Sequence, residues 1–262
     1  MRLLQLSDTH LLADPQGRYR QRFPQRLLEA ALLQAADLEH DLLVISGDLC
    51  QDETWQGYAC LRDLLAASGR WGPEQTPVAL LPGNHDHPGL LRAALGRQAT
   101  IAPALLSLAG CRVLLLDSHR AGCTGGWLGA RQLSWLSGLL GADPLTPTLV
   151  VVHHPPLAIG DREMDRIGLQ DGAELLERLV GVPGLRGLLF GHVHQHWQGW
   201  LPGRSDRLEP VPLLGCPSTL CPFGPVQPCP LGRAADPGGR WLDLDPAEGL
   251  QQRLLRWSAP PL

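Results

Sequence analysis

Leu149-Val150-Val151-Val152 runs without interruption into His153-His154-Pro155-Pro156. Four aliphatic residues in a row, with no polar residue between them, are the pattern of a strand covered on both faces. The imidazoles follow at the strand end, where α/β proteins place their sites. Taken alone, the His-His-Pro-Pro segment also fits an extended pre-proline stretch with two incidental histidines. The arrangement recurs, however, along the whole chain. Leu3–Ser7 leads into Asp8-Thr9-His10, Leu42–Ser46 into Gly47-Asp48, and Val78–Leu81 into Gly83-Asn84-His85-Asp86. Leu185–Phe190 leads into Gly191-His192-Val193-His194, and alternate residues of an extended segment point to one side. Arg112–Leu116 reads as one more strand.

Between these runs lie stretches with apolar residues three and four apart: Arg26–Leu38, Trp55–Ala67, Gly129–Leu140 and Asp171–Val180, with a further helix at Pro88–Leu95. Alternating strands and helices predict a layered α/β fold. After Gln195 the texture changes. Prolines and glycines crowd 202–239, and short β-like pieces fall at Trp197–Leu201, Arg207–Leu214, Arg240–Leu244 and Arg253–Trp257. No linker divides the 262 residues, so one domain over 1–262 is expected, with 197–262 as a C-terminal strand-and-loop segment. The Pro/Gly-rich part of that segment is read as a lid or as a contact in a homodimer.

A composition of 44% hydrophobic and 18% charged residues suits a soluble globular protein. A net charge of −4 and the absence of lysine argue against a stable nucleic-acid partner. No apolar stretch approaches the roughly 20 residues of a membrane span, and the chain enters its first strand directly, so no membrane association and a cytoplasmic location are expected. The seven cysteines are odd in number and match no disulfide or zinc-ribbon spacing, which predicts reduced thiols.

Each polar cluster by itself reads as a turn or a cap. Together they offer carboxylates, imidazoles and one amide oxygen, a donor set for first-row transition metals; all-oxygen ligands would have pointed to magnesium or calcium. The ordered motifs D-x-H, G-D, G-N-H-D, H-x-P and G-H-x-H, over residues 3 to about 196, resemble the calcineurin-like metallophosphoesterase superfamily. The finer texture is similar to its bacterial cyclic-AMP phosphodiesterase group, the class III cyclic nucleotide phosphodiesterases. That likeness rests on Ser7–Leu11, Gly47–Leu49, His153–Pro156 and Phe190–Gln195, and more loosely on Gly215–Thr219 and Pro237–Trp241.

The resemblance implies a four-layer α-β-β-α sandwich of two mixed sheets flanked by helices, with a dinuclear metal site at one rim. Asp8, His10, Asp48 and His194 would hold one ion; Asp48, Asn84, His153 and His192 would hold the other. The ions would be two divalent or trivalent transition metals, iron or manganese before zinc or cobalt. His85 would serve the leaving group, and Asn84, His85, His154 and His194 would face the substrate, His154 standing there or one layer behind. The reaction implied is hydrolysis of a phosphodiester, 3′,5′-cyclic AMP to 5′-AMP, by a hydroxide shared between the metals. Alternatives are a glycerophosphodiester, a nucleotide pyrophosphate or a phosphomonoester as substrate, and a metal-binding scaffold without catalysis.

Leu220–Gly224 and Gln170-Asp171 depart from the group's pattern in ways that bear on substrate choice and leave the metals alone. Three secondary expectations complete the reading: Asp52 orients His85, Asp86 caps the Pro88–Leu95 helix, and the loop carrying Arg18, Arg20 and Arg22 is solvated.

Overall fold

Successive side chains of a strand point to opposite faces. In β1 (Arg2–Leu6), Leu3 enters one apolar cluster while Leu4 and Leu6 enter another. In β2 (Leu42–Ile45), Leu42 and Val44 join Leu3, and Leu43 and Ile45 join Leu4. β7 (Thr148–Val152) divides likewise: Leu149 and Val151 share the cluster of Leu3, whereas Val150 and Val152 face a third. Continuous hydrophobicity therefore means two buried faces. Two sheets pack on each other through the shared cluster, and helices cover each outer face.

The computed structural model describes residues 1–203 and 208–258. One sheet has the order β12 (Gly249–Arg256), β11 (Gly238–Asp245), β1, β2, β3 (Val78–Leu80), β4 (Thr100–Ile101). The other runs β5 (Ala104–Leu108), β6 (Cys111–Leu115), β7, β8 (Leu185–Phe190), β10 (Pro212–Gly215), β9 (Trp197–Trp200). β1 through β4 are parallel, as are β6, β7, β8 and β10, while β11, β12, β5 and β9 pair antiparallel. Both sheets are thus mixed. Outside the first lie α1 (Pro24–Ala35), α2 (Trp55–Ala67) and α3 (Pro88–Leu95); outside the second lie α4 (Gly129–Ala142), the short α5 (Arg162–Arg166) and α6 (Gly172–Leu179). This is the four-layer α-β-β-α sandwich.

Differences from the sequence reading have local causes. α1 starts ahead of Arg26 because Pro24 takes a first-turn position, where its missing N–H costs nothing. α3 is capped by His87, whose Nδ1 accepts from Leu90 N at 3.3 Å, and not by Asp86, which turns into the interior. β4 and β5 flank the cis Ala102–Pro103 bond and were too short and too half-exposed to be read. Of the piece expected at Arg207–Leu214, Arg207 lies outside the described residues, and the strand begins at Pro212. The two later pieces lengthen into a β11–β12 hairpin against β1. No helix among the described residues is long and apolar enough to cross a membrane.

Arg240, on β11, is fully buried between the sheets with no carboxylate partner among the described residues. Its Nε donates to Gly215 O at 2.9 Å, Nη1 to Gln252 Oε1 at 2.7 Å, and Nη2 to Trp197 O at 3.0 Å and His196 Nδ1 at 2.8 Å. A guanidinium out of water is tolerated because its donors are met, and its bonds tie the first sheet to β9 and β10. Arg240→Met removes all four hydrogen bonds that the guanidinium donates. It is expected to lower unfolding free energy by about 3 kcal/mol, seen as a fall in the urea midpoint at unchanged slope.

Candidate metal centre

Every polar cluster read from the sequence follows the carboxyl end of a parallel strand, and the two sheets bring these ends to one rim. Asp8 and His10 follow β1, Asp48 follows β2, Asn84 and His85 follow β3, His153 follows β7, and His192 and His194 follow β8. The loops after β1 and β2 interlock: Asp8 N donates to Gly47 O at 3.0 Å, His10 N to Asp48 O at 2.9 Å, and Thr9 Oγ1 to Leu49 O at 2.8 Å.

The backbone there is costly. Nine non-glycine residues among those described have positive φ, and five are Asp8, His10, Asp48, His192 and His194. An L residue in that region costs of order 1 kcal/mol or more and persists only where its surroundings hold it. Glycines make room for this crowding. Gly47 has φ 103°, and a Cβ on it would meet His153 Nδ1 at 2.2 Å; one on Gly83 would meet Asp48 Oδ1 at 2.2 Å.

The side chains converge as two groups. Asp8, His10, Asp48 and His194 bring one ligand atom each within 4.8 Å of one another, and His153, His154 and His192 do the same. Asp48 faces both: Oδ2 is 3.8 Å from His10 Nε2, and Oδ1 is 3.5 Å from His153 Nε2. The outer nitrogens are used up. His10 Nδ1 donates to Gln51 Oε1 (2.8 Å), His153 Nδ1 to Ser46 O (2.7 Å) and His194 Nδ1 to Cys221 O (2.9 Å), so each Nε2 lone pair points inward. His192 N donates to Asp8 Oδ1 at 3.1 Å.

What converges lacks partners. Asp8 Oδ2, Asn84 Oδ1, His153 Nε2 and His192 Nε2 are buried with no hydrogen-bond partner, although buried polar atoms are normally satisfied. His10 Nε2 and His194 Nε2 stand 3.0 Å apart. Two nitrogens each about 2.1 Å from one ion, at a right angle, lie roughly 3 Å apart. Electrostatics agree. Burial opposes ionisation of Asp8 and Asp48, yet neighbouring imidazoles hold both below the usual carboxylate range. Burial likewise opposes a charge on His153 and His194, but Asp48 and Asp8 push them up to about 9 and about 10. Burial takes His10 down to about 4, and burial with adjacent histidines lowers His192 well below its ordinary value. Two carboxylates out of water demand two positive charges. Cations bound there meet that demand with the imidazoles neutral, so these residues fit metal ions, with no thiolate in the set.

A cleft of about 400 Å³ opens over these groups, lined among others by Asp48, Asn84, His85, His192 and His194. His85 is oriented by Gln51 and not by Asp52. Gln51 Nε2 donates to His85 Nδ1 at 3.2 Å, which leaves the ring proton on Nε2, while Asp52 accepts from Ala13 N at 2.8 Å and Thr54 Oγ1 at 2.8 Å. His154 stands behind the centre and does not line the cleft: its Nδ1 meets Ser118 Oγ at 2.8 Å and its Nε2 Thr124 O at 3.1 Å. Of the three loop arginines, Arg18 lies over Phe23 (4.2 Å), Arg22 donates to Leu220 O (3.4 Å), and only Arg20 lines the cleft.

The sequence reading also missed the late supports. Ser218 Oγ donates to Asp8 O at 2.7 Å and accepts from Leu220 N and Cys221 N, and Thr219 N donates to Ser7 O. The signal was present in Gly215-Cys216-Pro217-Ser218-Thr219, but its target was 210 residues away.

Asp86 is the anchor beneath the centre. Its buried carboxylate accepts from Leu49 N, Cys50 N, Gly83 N and Tyr58 Oη at 2.8–3.1 Å, fixing the turns that carry Asp48 and Asn84. Asp86→Asn replaces an acceptor with an N–H pair facing donors. A loss of about 3 kcal/mol in stability is expected, with weaker metal retention on dialysis and an unaltered far-ultraviolet dichroism spectrum at low temperature.

The calcineurin-like phosphoesterase family model matches residues 1–196. A probable cyclic nucleotide phosphodiesterase of Synechococcus sp. strain WH7803 is 51% identical over 98% of this chain and 97% of its own length. The 3′,5′-cyclic adenosine monophosphate phosphodiesterase of Escherichia coli strain K12 is 35% identical over 93% of this chain and 85% of its own. A dimetal phosphatase from Danio rerio superposes with a TM-score of 0.64 over 98% of this chain and 99% of that one, at 15% identity, a likeness of fold. With its ligand-type residues gathered at the sandwich rim, the chain belongs to the calcineurin-like phosphoesterase family.

Proposed function

We propose that this metal-dependent phosphodiesterase hydrolyses 3′,5′-cyclic nucleotides, cyclic AMP foremost, to the 5′-monophosphate. The observation that carries the phosphoester chemistry is the pair of inward-facing donor groups sharing Asp48 beneath an open cleft. Cyclic-nucleotide choice is supported by the relatives' names and by the single arginine that lines the cleft among the described residues, where a monoester's second charge would call for more.

Asp8, His10, Asp48 and His194 would hold one ion, and Asp48, Asn84, His153 and His192 the other. The nitrogen and oxygen donors suit iron or manganese, with zinc or cobalt next. Bound there, the ions supply Lewis acidity toward the phosphoryl oxygens and an acidified water as nucleophile. His85, as the imidazolium, gives its Nε2 proton to the departing 3′-oxygen and reverts to the neutral ring, with Gln51 beside Nδ1 holding it in place. His154, engaged by Ser118 and Thr124, braces the floor. We read the chain as one domain, since the segment after Trp197 supplies strands to both sheets. Seven free cysteines support a reducing, cytoplasmic setting.

Elemental analysis of the reconstituted protein is expected to approach two transition metals per chain, and Asp48→Asn to lose both. Full activity with one ion, or after exhaustive chelation, would sink the dinuclear reading. His85→Ala should keep its metals and lose about 10²–10⁴-fold in turnover, less with nitrophenyl leaving groups that need no proton. Loss of one metal would make His85 a ligand. A panel at one metal condition should place 3′,5′-cyclic AMP above 2′,3′-cyclic AMP, bis-nitrophenyl phosphate, a glycerophosphodiester, a nucleotide pyrophosphate and nitrophenyl phosphate. Monoester efficiency above every diester would overturn the phosphodiesterase reading, and activity confined to the synthetic diester would remove the cyclic nucleotide.

A further inference from the structure

Tyr19 and Arg22 exchange both backbone hydrogen bonds, N to O at 3.0 and 2.9 Å, closing a two-residue hairpin. Its central residues Arg20 and Gln21 have φ 48° and 63°. Such a turn normally takes Asn-Gly, because both positions are left-handed. Two long side chains there carry strain with no fold-level return, and strain of this kind concentrates where a side chain has work to do.

The hairpin delivers a guanidinium to the wall of the cleft. Arg20 stands 5.0 Å from the Phe223 ring centroid and 5.6 Å from that of Tyr19. Phe223 lies flat on His194, 4.0 Å between centroids and 4° between planes, and Tyr19 is 5.2 Å from His10. Two rings thus separate Arg20 from the imidazoles of the centre. The groups acting on its charge are Tyr19 and Cys221; neither Asp8 nor Asp48 is among them. No described carboxylate lies within ion-pair distance of Arg20. Set behind those two rings, it faces the part of a substrate one ring farther out than a phosphoryl group seated over Asp48.

We propose that Arg20, pinned over Tyr19 and Phe223, is the nucleobase subsite of the cleft and takes a purine. This rests on the cyclic-nucleotide reading above. A guanidinium whose face lies against rings presents its N–H edge outward, and that edge meets the N7 acceptor that purines present and pyrimidines lack.

The test uses the metal-loaded protein with 3′,5′-cyclic AMP, 3′,5′-cyclic CMP and the base-free methyl riboside 3′,5′-cyclic phosphate. Arg20→Gly and Arg20→Asn suit positive φ, so their thermal midpoints should equal or exceed that of the native chain. Both should raise KM for cyclic AMP by about tenfold with kcat within about twofold. KM for the base-free substrate should stay unchanged, and the preference for cyclic AMP over cyclic CMP should collapse. Calorimetry with adenosine, which has no phosphate, should show the same weakening. Parallel losses on cyclic AMP and the base-free substrate, an unchanged KM for both, or a lowered thermal midpoint would each overturn the subsite. If the native protein hydrolyses bis-nitrophenyl phosphate and no cyclic nucleotide, the cyclic-nucleotide reading falls and takes the subsite with it.

Discussion

Asp8 and Asp48 are carboxylates with almost no contact with water, set among imidazoles of which His153 and His192 turn inward a nitrogen without a hydrogen-bond partner. Removing such charges from water is expensive unless something positive comes with them. The rest of the molecule is arranged around that demand. Parallel strands end together so that the carboxylates and imidazoles meet. The imidazoles of His10, His153 and His194 are each turned by a carbonyl or amide at the outer nitrogen, so that the lone pair and not the proton faces the middle.

Bringing seven side chains to one point requires backbone that strands and helices do not provide. The left-handed residues at Asp8, His10, Asp48, His192 and His194 make the sharp turns, and hydrogen-bonded neighbours hold them there. Asp86, Ser218 and Thr219 satisfy turn N–H and C=O groups that would otherwise be orphaned. A cavity-forming change in the outer clusters would be felt as lost stability. A change at these supports would also move the donor atoms.

Local signals carried much of this. The aliphatic runs located β1, β2, β3, β6, β7 and β8 to within a residue or so, and their polar endings located the groups that the sheets bring together. Pairings between distant segments were not legible. Asp52 was read as the partner of His85 because a carboxylate beside an imidazole is the familiar pair, yet the loop presents Gln51 to both His10 and His85. Asp86 looked like a helix cap from its position two residues ahead of Pro88, but its partners at Leu49, Cys50 and Tyr58 lie 28 to 37 residues back. Arg20 and Phe223 are 203 positions apart, and no periodicity connects them. β4 and β5, short and half-exposed, gave too little pattern to register.

The hairpin of β11 and β12 completes the first sheet beside β1, and Met1 N donates to Leu244 O at 2.8 Å. β1 therefore lies between β2 and a strand more than 230 residues later in the chain. Contacts of such long sequence separation slow folding, because loop closure precedes the reward. The Asp8 turn also waits for Ser218 and Thr219 to reach it. On the ribosome, the edge of β1 and its acidic end would stay open until β11 and the Ser218 turn have emerged. The donor groups after β1 thus reach their final places only after the late strands have sealed the seam.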